Sequence, residues 1–225
     1  MEKESAWGKT FTMIRVHIFV EGQTEETFVR EVLQIPMNGR GIFLNAILVR
    51  TSTHGKGGIV RYSKLKPQII RKCLEDRASF VTTMFDLYGL PGDFPSVHQN
   101  TDSPIIRAMS IEAELLSNVN QPNFIPNLLV HEFEALLYSD PNAFSKWFPN
   151  DVAKTMIAEK GHFDSPEHIN DSPRTAPSKR ILKHRPDYEK PLHGSLIALD
   201  IGLDVMRHEC KHFDRWISKI ESLAN

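Results

Sequence analysis

The sequence predicts an α/β fold, with a largely parallel sheet flanked by helices and a helical extension at the C-terminal end. Two observations predict it. Apolar runs of strand length alternate with helix-like segments as far as residue 139, the grammar of strand–helix–strand units. Each of those runs also ends at a polar or charged residue, as expected where the carboxyl ends of parallel strands gather around a ligand. On this reading residues 1–12 are a tail, 13–139 the α/β core and 140–225 a helical extension packed on that core.

Taken in order, Met1 to Thr12 has no pattern, and Met13 directly before the first strand is an alternative start. Ile14–Val20 reads as a strand ending at Glu21, Ile42–Val49 as one ending at Arg50, Phe80–Phe85 as one ending at Asp86, and Phe124–Val130 as one ending at His131-Glu132. Between them, Thr24–Leu33 puts Phe28, Val29, Val32 and Leu33 on one side. Ile59–Leu74 spaces Leu65, Ile69, Cys73 and Leu74 helically, and Ile106, Met109, Ala113 and Leu116 form a third apolar stripe. Gly89–Pro104 is an irregular connection of the kind that often carries function. Further on, Pro141–Phe148, Val152–Glu159, Ser178–His184 and Pro191–Leu199 read as short helices around a polar loop, Gly161–Pro177. Lys211–Leu223 is a clearer helix, with Phe213, Trp216, Ile217 and Ile220 inward.

Composition sets limits. At 225 residues, 40% hydrophobic and 24% charged, the chain can bury a core without staples. A formal charge of −1 excludes a wholesale basic footprint but leaves room for a local patch or a bound cation. Cys73 and Cys210 lack partners at metal-binding spacing, which argues against structural zinc and disulfides and fits a reducing cytoplasm. No apolar run reaches membrane-spanning length and no signal peptide is visible, so no membrane partner is expected.

Chemistry points to the strand ends. Glu21 closes the first strand, followed by Gly22, the cap candidate Thr24, and Glu25 and Glu26. Glu25 is placed to share a cation with Glu21 or to favour the helix dipole, and both readings stay open; for Glu26 the dipole suffices. Asp86 reads as a ligand, Asp93 as turn chemistry. In His131-Glu132-Phe133-Glu134 the second histidine of a zincin motif is missing, with Ala135 in its place, and Glu132 is preferred over Glu134 as the residue nearest the tip. A competing reading has His131 and Glu132 simply start a helix. Carboxylates without a Cys or His cluster favour a hard cation, Mg²⁺ or Mn²⁺, and phosphate-ester chemistry. Two basic segments are candidates for countering phosphate charge. These are Thr53-His54-Gly55-Lys56-Gly57-Gly58, better read as a flexible loop, and Pro177-Ser178-Lys179-Arg180 at a helix start, which from its residues alone reads somewhat more readily as a solvated basic turn. Cys73 reads as core, and Cys210, despite His208, Lys211 and His212, as a structural thiol.

The segments VEGQTE, FDLYGLP, HEFEALL, APSKR and CKHFDRW resemble the bacterial family called domain of unknown function 4276, itself similar to Toprim domains and OLD-type nucleases. That resemblance implies a Toprim-like sheet and a metal-dependent nuclease, with Glu21 as the glutamate after the first strand and Glu25 as the extra acid of the OLD-type version. Asp86 matches the first Asp of the Asp-x-Asp motif, but Tyr88 stands where the second belongs, which puts a second metal in doubt unless Glu132 or Glu134 substitutes. It further implies nucleic acid as a partner, an ABC- or SMC-like ATPase in an anti-phage defence module, and a lysine near the scissile phosphate, assigned here to Lys179 with Arg180 beside it. A homodimer is compatible with all of this. The Tyr88 replacement and near-neutral charge equally suit a non-catalytic binding or sensor subunit of the same ATPase.

Overall fold

The computed structural model describes residues 13–51, 58–98, 103–169, 172 and 174–224. Three long strands build the sheet: β1 (Ile14–Val20), β2 (Ile42–Leu48) and β3 (Phe80–Asp86). Two short ones, β4 (Phe124–Ile125) and β5 (Leu128–Leu129), complete it. The order is β2-β1-β3-β4 with β5 also on β3, and every pairing is parallel. This is the α/β layer that the alternation of strand and helix runs predicts. Register aligns the tips, with Val20 opposite both Leu48 and Met84, so Glu21 and Asp86 emerge on one rim.

The run Phe124–Val130 is not one strand. Pro126 has no N–H to give the ladder, and the pairing breaks between β4 and β5. Thr83 bridges the gap from β3. Its hydroxyl donates to the Asn127 carbonyl at 2.7 Å and accepts the Asn127 N–H at 3.0 Å, both out of solvent.

On one face of the sheet α1 (Gln23–Phe28) runs through a π turn, Val29–Leu33, into α2 (Gln34–Asn38). Phe28, Val29, Val32 and Leu33 are buried together, as their spacing predicts. On the other face lie α3 (Tyr62–Glu75) and α4 (Pro104–Val119). The stripe Ile106, Met109, Ala113, Leu116 faces solvent; α4 buries Ala108, Ile111, Leu115 and Val119 instead. Leu74 is likewise exposed, one position beyond the buried Cys73. Asp93 does more than turn the chain, because its carboxylate accepts the N–H groups of Tyr62 and Ser63 and caps α3.

The C-terminal region is helical: α5 (Glu134–Leu137), α6 (Asn150–Lys160), α7 (Pro177–His184), α8 (Ser195–Ile201), α9 (Leu203–Glu209) and α10 (Lys211–Glu221). It shares one apolar cluster with the α1 face of the sheet, in which Phe213, Trp216, Ile217 and Ile220 meet Val16, Ile18 and Met84. The Trp216 indole N–H donates to Thr82 Oγ1 of β3 at 2.9 Å, so α10 is tied to the sheet by a buried polar bond as well as by packing. No helix among the described residues is long and apolar enough to cross a membrane.

Thr83→Val keeps the shape of the side chain but leaves the Asn127 N–H and C=O buried without their partner. The expected cost is about 2 kcal/mol, a fall in Tm of roughly 4–8 °C, measured by thermal melting against wild type.

Candidate active site

Four chain segments bring carboxylates to the rim. Glu21 follows β1, Glu25 sits in the first turns of α1, Asp86 ends β3, and Glu132 and Glu134 flank the start of α5. Local chemistry fixes each one. The Asp86 N–H donates to Glu21 Oε1 at 2.8 Å, locking the first acid across the strand tips. Asp86 Oδ1 in turn accepts the Phe133 N–H at 2.8 Å, which holds the HEFE segment against β3. That segment turns sharply because His131 adopts φ +66°, a left-handed conformation uncommon for a side chain of this size, while its carbonyl accepts the Tyr88 N–H. Gly22 packs closely on the first turn of α1, where a Cβ would stand 3.1 Å from Glu25 Oε2 and press that carboxylate aside by a few tenths of an ångström.

The centre of the group is a cation that the sequence reading did not single out. The Lys190 ammonium lies 3.0 Å from Glu25 Oε1, 3.2 Å from Asp86 Oδ2 and 3.4 Å from Glu134 Oε2. It also sits over the Phe133 ring, 5.6 Å from the centroid. Lys190 opens a π-helical turn, Lys190–Gly194, that leads into α8. Gly194 closes that turn where a Cβ would meet the Tyr188 hydroxyl at 2.8 Å. Single π turns recur at functional sites.

Lys179 and Arg180 form no ion pair with these acids among the described residues. Lys179 is exposed on α7. Arg180 donates to the carbonyls of Thr175 and Ile169 and stacks over Phe163, so its guanidinium holds the preceding loop. The link between α7 and the acids runs through the backbone: Glu132 Oε1 accepts the Ser178 N–H at the first turn of the helix. One oxygen of Glu132 is thereby committed to capping the distant helix α7, which differs from the local His131–Glu132 helix start that competed with the ligand reading. The glycine-rich stretch after β2 falls outside the described residues apart from Gly58. Both thiols are buried, and burial pushes Cys73 up to about 11 and Cys210 higher still, so neither is poised as a nucleophile.

Five carboxylates surround one ammonium, and the imbalance shows in their protonation. Burial raises Glu21 above the usual carboxylate range, and the Asp86 charge raises it further. Asp86 is raised by burial, with Lys190 opposing and Glu25 and Glu132 adding to the rise. Glu134, 1% exposed, is pushed up to about 7 by burial, against the pull of Lys190. Burial works against the charge on Lys190, but Asp86, Glu134 and Glu25 outweigh it and hold its pKa well above the ordinary value. Among the described residues no three acidic, His or Cys side chains stand as a ready-made metal cage. The donors are nonetheless all hard oxygens, and the Lys190 ammonium is a stand-in cation among them, so the residues suit a cation at this place.

The family profile described as Domain of unknown function (DUF4276) matches residues 20–221. The chain belongs to this family. Among curated proteins none matches. Of solved structures, the chain is similar to the C-terminal region of the OLD protein of Xanthomonas campestris pv. campestris. One form is 15% identical, covering 94% of this chain and 98% of that one at a TM-score of 0.28. A second is 14% identical, covering 92% and 98% at a TM-score of 0.29.

Acids with raised pKa bind more protons folded than unfolded, so stability is greatest at low pH and declines as pH rises through the folded values. Melting of metal-free protein should therefore show the cluster's contribution to Tm falling between about pH 4 and pH 8, the window set by ordinary carboxylates below and by Glu134, at about 7, and Glu21, at about 8, above. Lys190→Met leaves three carboxylates without their ammonium and should cost about 3 kcal/mol near neutrality, with a steeper decline of Tm with pH than wild type.

Proposed function

We propose that the rim cluster is the catalytic centre of a divalent-metal-dependent phosphodiesterase acting on nucleic acid, a nuclease of Toprim-like, OLD-related type. The observation that carries this reading is the Lys190 ammonium held within 3.4 Å of three carboxylates from three separate segments. A fold does not gather five acids at the ends of its strands and leave three of them with raised pKa for stability alone, since such burial is costly. The family resemblance of Glu21, Glu25 and Asp86 points the same way.

Glu21, Glu25, Asp86 and the uncommitted oxygen of Glu132 would hold Mg²⁺ or Mn²⁺. Such an ion supplies polarisation of a phosphoryl oxygen and a lowered pKa for bound water. Glu134, held near neutrality, is suited to take a proton from the attacking water or return one to the leaving oxygen. In this reading the Lys190 ammonium would counter the charge developing on the phosphate. It takes the role first assigned to Lys179. The anti-phage setting and an ABC- or SMC-like ATPase partner belong to the same proposal and rest on the family resemblance alone.

A second reading has an observation of its own. With Lys190 already neutralising the centre, and no ready-made cage among the described residues, the cluster can serve as a structural knot in a non-catalytic subunit of the ATPase complex. Calorimetric titration with Mn²⁺ separates the two, because the nuclease reading requires binding and the subunit reading none.

Incubation of plasmid, linear DNA and RNA with Mn²⁺ or Mg²⁺ should give cleavage that Glu21→Gln and Asp86→Asn each reduce at least about a hundredfold, with Lys190→Ala comparable. Lys179→Ala should stay within about threefold of wild type. Cleavage that survives Asp86→Asn would remove the cluster from the chemistry.

A further inference from the structure

A groove of about 300 Å³ runs along the outer edge of β2, lined by Phe19, Ala46, Ile47 and Leu48, by Arg50, Gln68, Arg71 and Lys72, and by Glu26 and Glu75. We propose that it is the track along which one strand of nucleic acid approaches the acid cluster, its phosphodiester backbone held by Arg50, Arg71, Lys72 and the open edge of β2. The proposal rests on the nuclease reading for what happens at the cluster, but the groove is defined independently.

The edge supplies the first argument. β2 pairs only with β1 among the described strands, and in a strand alternate residues turn their peptide groups to the same side. The Val49 N–H donates to Val20 on the β1 side. Residues 42, 44 and 50 face outward, and there glutamine side chains cap them. Gln34 accepts the Leu44 N–H and donates to the Ile42 carbonyl. Gln68 accepts the Arg50 N–H and donates to the Arg50 carbonyl. Capping at both ends blunts the edge against addition of another strand, which disfavours an extended peptide as occupant. Alternation leaves the outward N–H groups of Ala46 and Leu48 between the caps, and both residues line the groove. Two such donors suit a short anionic unit.

Charge supplies the second. Arg50 is exposed and forms no ion pair among the described residues, while the Gln68 clamp fixes its backbone. Arg71 and Lys72 share Glu75 at 3.7 and 3.4 Å, with the glutamate half-exposed, so both can be recruited at little cost. Gln68, which clamps Arg50, lies one helical turn from Lys72 on α3, so Arg50 and the Arg71–Lys72 pair stand at separate points of the groove.

Continuity supplies the third. Arg50 lies two residues past β2, whose last residue, Leu48, pairs with the residue before Glu21. Glu25 turns into the acid cluster and the adjacent Glu26 lines the groove. The Arg50 end of the groove thus lies on the same rim of the sheet as Glu21.

The test is fluorescence anisotropy of a fluorescein-labelled single-stranded deoxyoligonucleotide of about 12 nucleotides, in EDTA, across a salt series. Arg50→Ala should weaken binding roughly tenfold at low salt and reduce the slope of log K against log salt by about 0.7. The variant carrying Arg50→Ala, Arg71→Ala and Lys72→Ala should lower the slope by about 2. Inorganic phosphate at millimolar concentration should not compete. The idea is overturned if the triple variant, melting like wild type, binds with unchanged affinity and slope, or if inorganic phosphate displaces the oligonucleotide, which would make the groove a site for free anions. Because binding is read without metal, the outcome is separable from cleavage. Asp86→Asn protein that still cuts would remove the catalytic centre and leave the groove standing, whereas a failed triple variant would remove the groove whatever Asp86→Asn does.

Discussion

One ammonium group, 3.0 to 3.4 Å from carboxylates of Glu25, Asp86 and Glu134, ties together α1, the tip of β3, the start of α5 and the turn that leads into α8. Each partner would be costly alone: a buried carboxylate without a cation resists ionising, and a half-buried lysine without anions resists its charge. Together they define where the C-terminal helices close over the sheet. The stabilisation is incomplete, and the raised pKa values of Glu21, Asp86 and Glu134 record burial first and repulsion among the acids second.

That frustration is the link between fold and function. A cluster built only for stability would match charges or replace them with apolar groups, because burying ions seldom repays its desolvation. Here the surplus sits at aligned carboxyl ends of parallel strands, the position where such sheets present their chemistry. The backbone bonds from Asp86 to Glu21 and from Phe133 to Asp86 fix the positions of these acids, so under the proposed function a cation would meet donors already in place.

The C-terminal region contributes to the centre as well as to the core. Trp216 anchors α10 to β3 through Thr82, and the cluster of Phe213, Trp216 and Ile217 spans the α1 face of the sheet. Packing of that kind positions α8 and the π turn before it, which delivers Lys190 from 104 residues beyond Asp86. The outer edge of β2, by contrast, is left open only between two glutamine caps, a local exception on an edge otherwise protected from pairing.

The sequence by itself determined the positions of the three long strands, the acids at their tips and the inward face of α10, because strand-length apolar runs and helical spacing are local properties of the chain. It determined Glu21 and Asp86 as neighbours in kind but not in space. It could not choose between the two apolar stripes of α4, since Ile106, Met109, Ala113 and Leu116 repeat as regularly as the stripe that is buried. The break at Pro126 was visible in principle, as a missing donor inside an apparent strand. Lys190 had only a faint signal, a cation at a helix start where the dipole disfavours it. Only the tertiary structure decided that this lysine, and not Lys179, meets the acids: an ion pair between distant segments depends on how helices pack over the sheet, and no spacing along the chain encodes it.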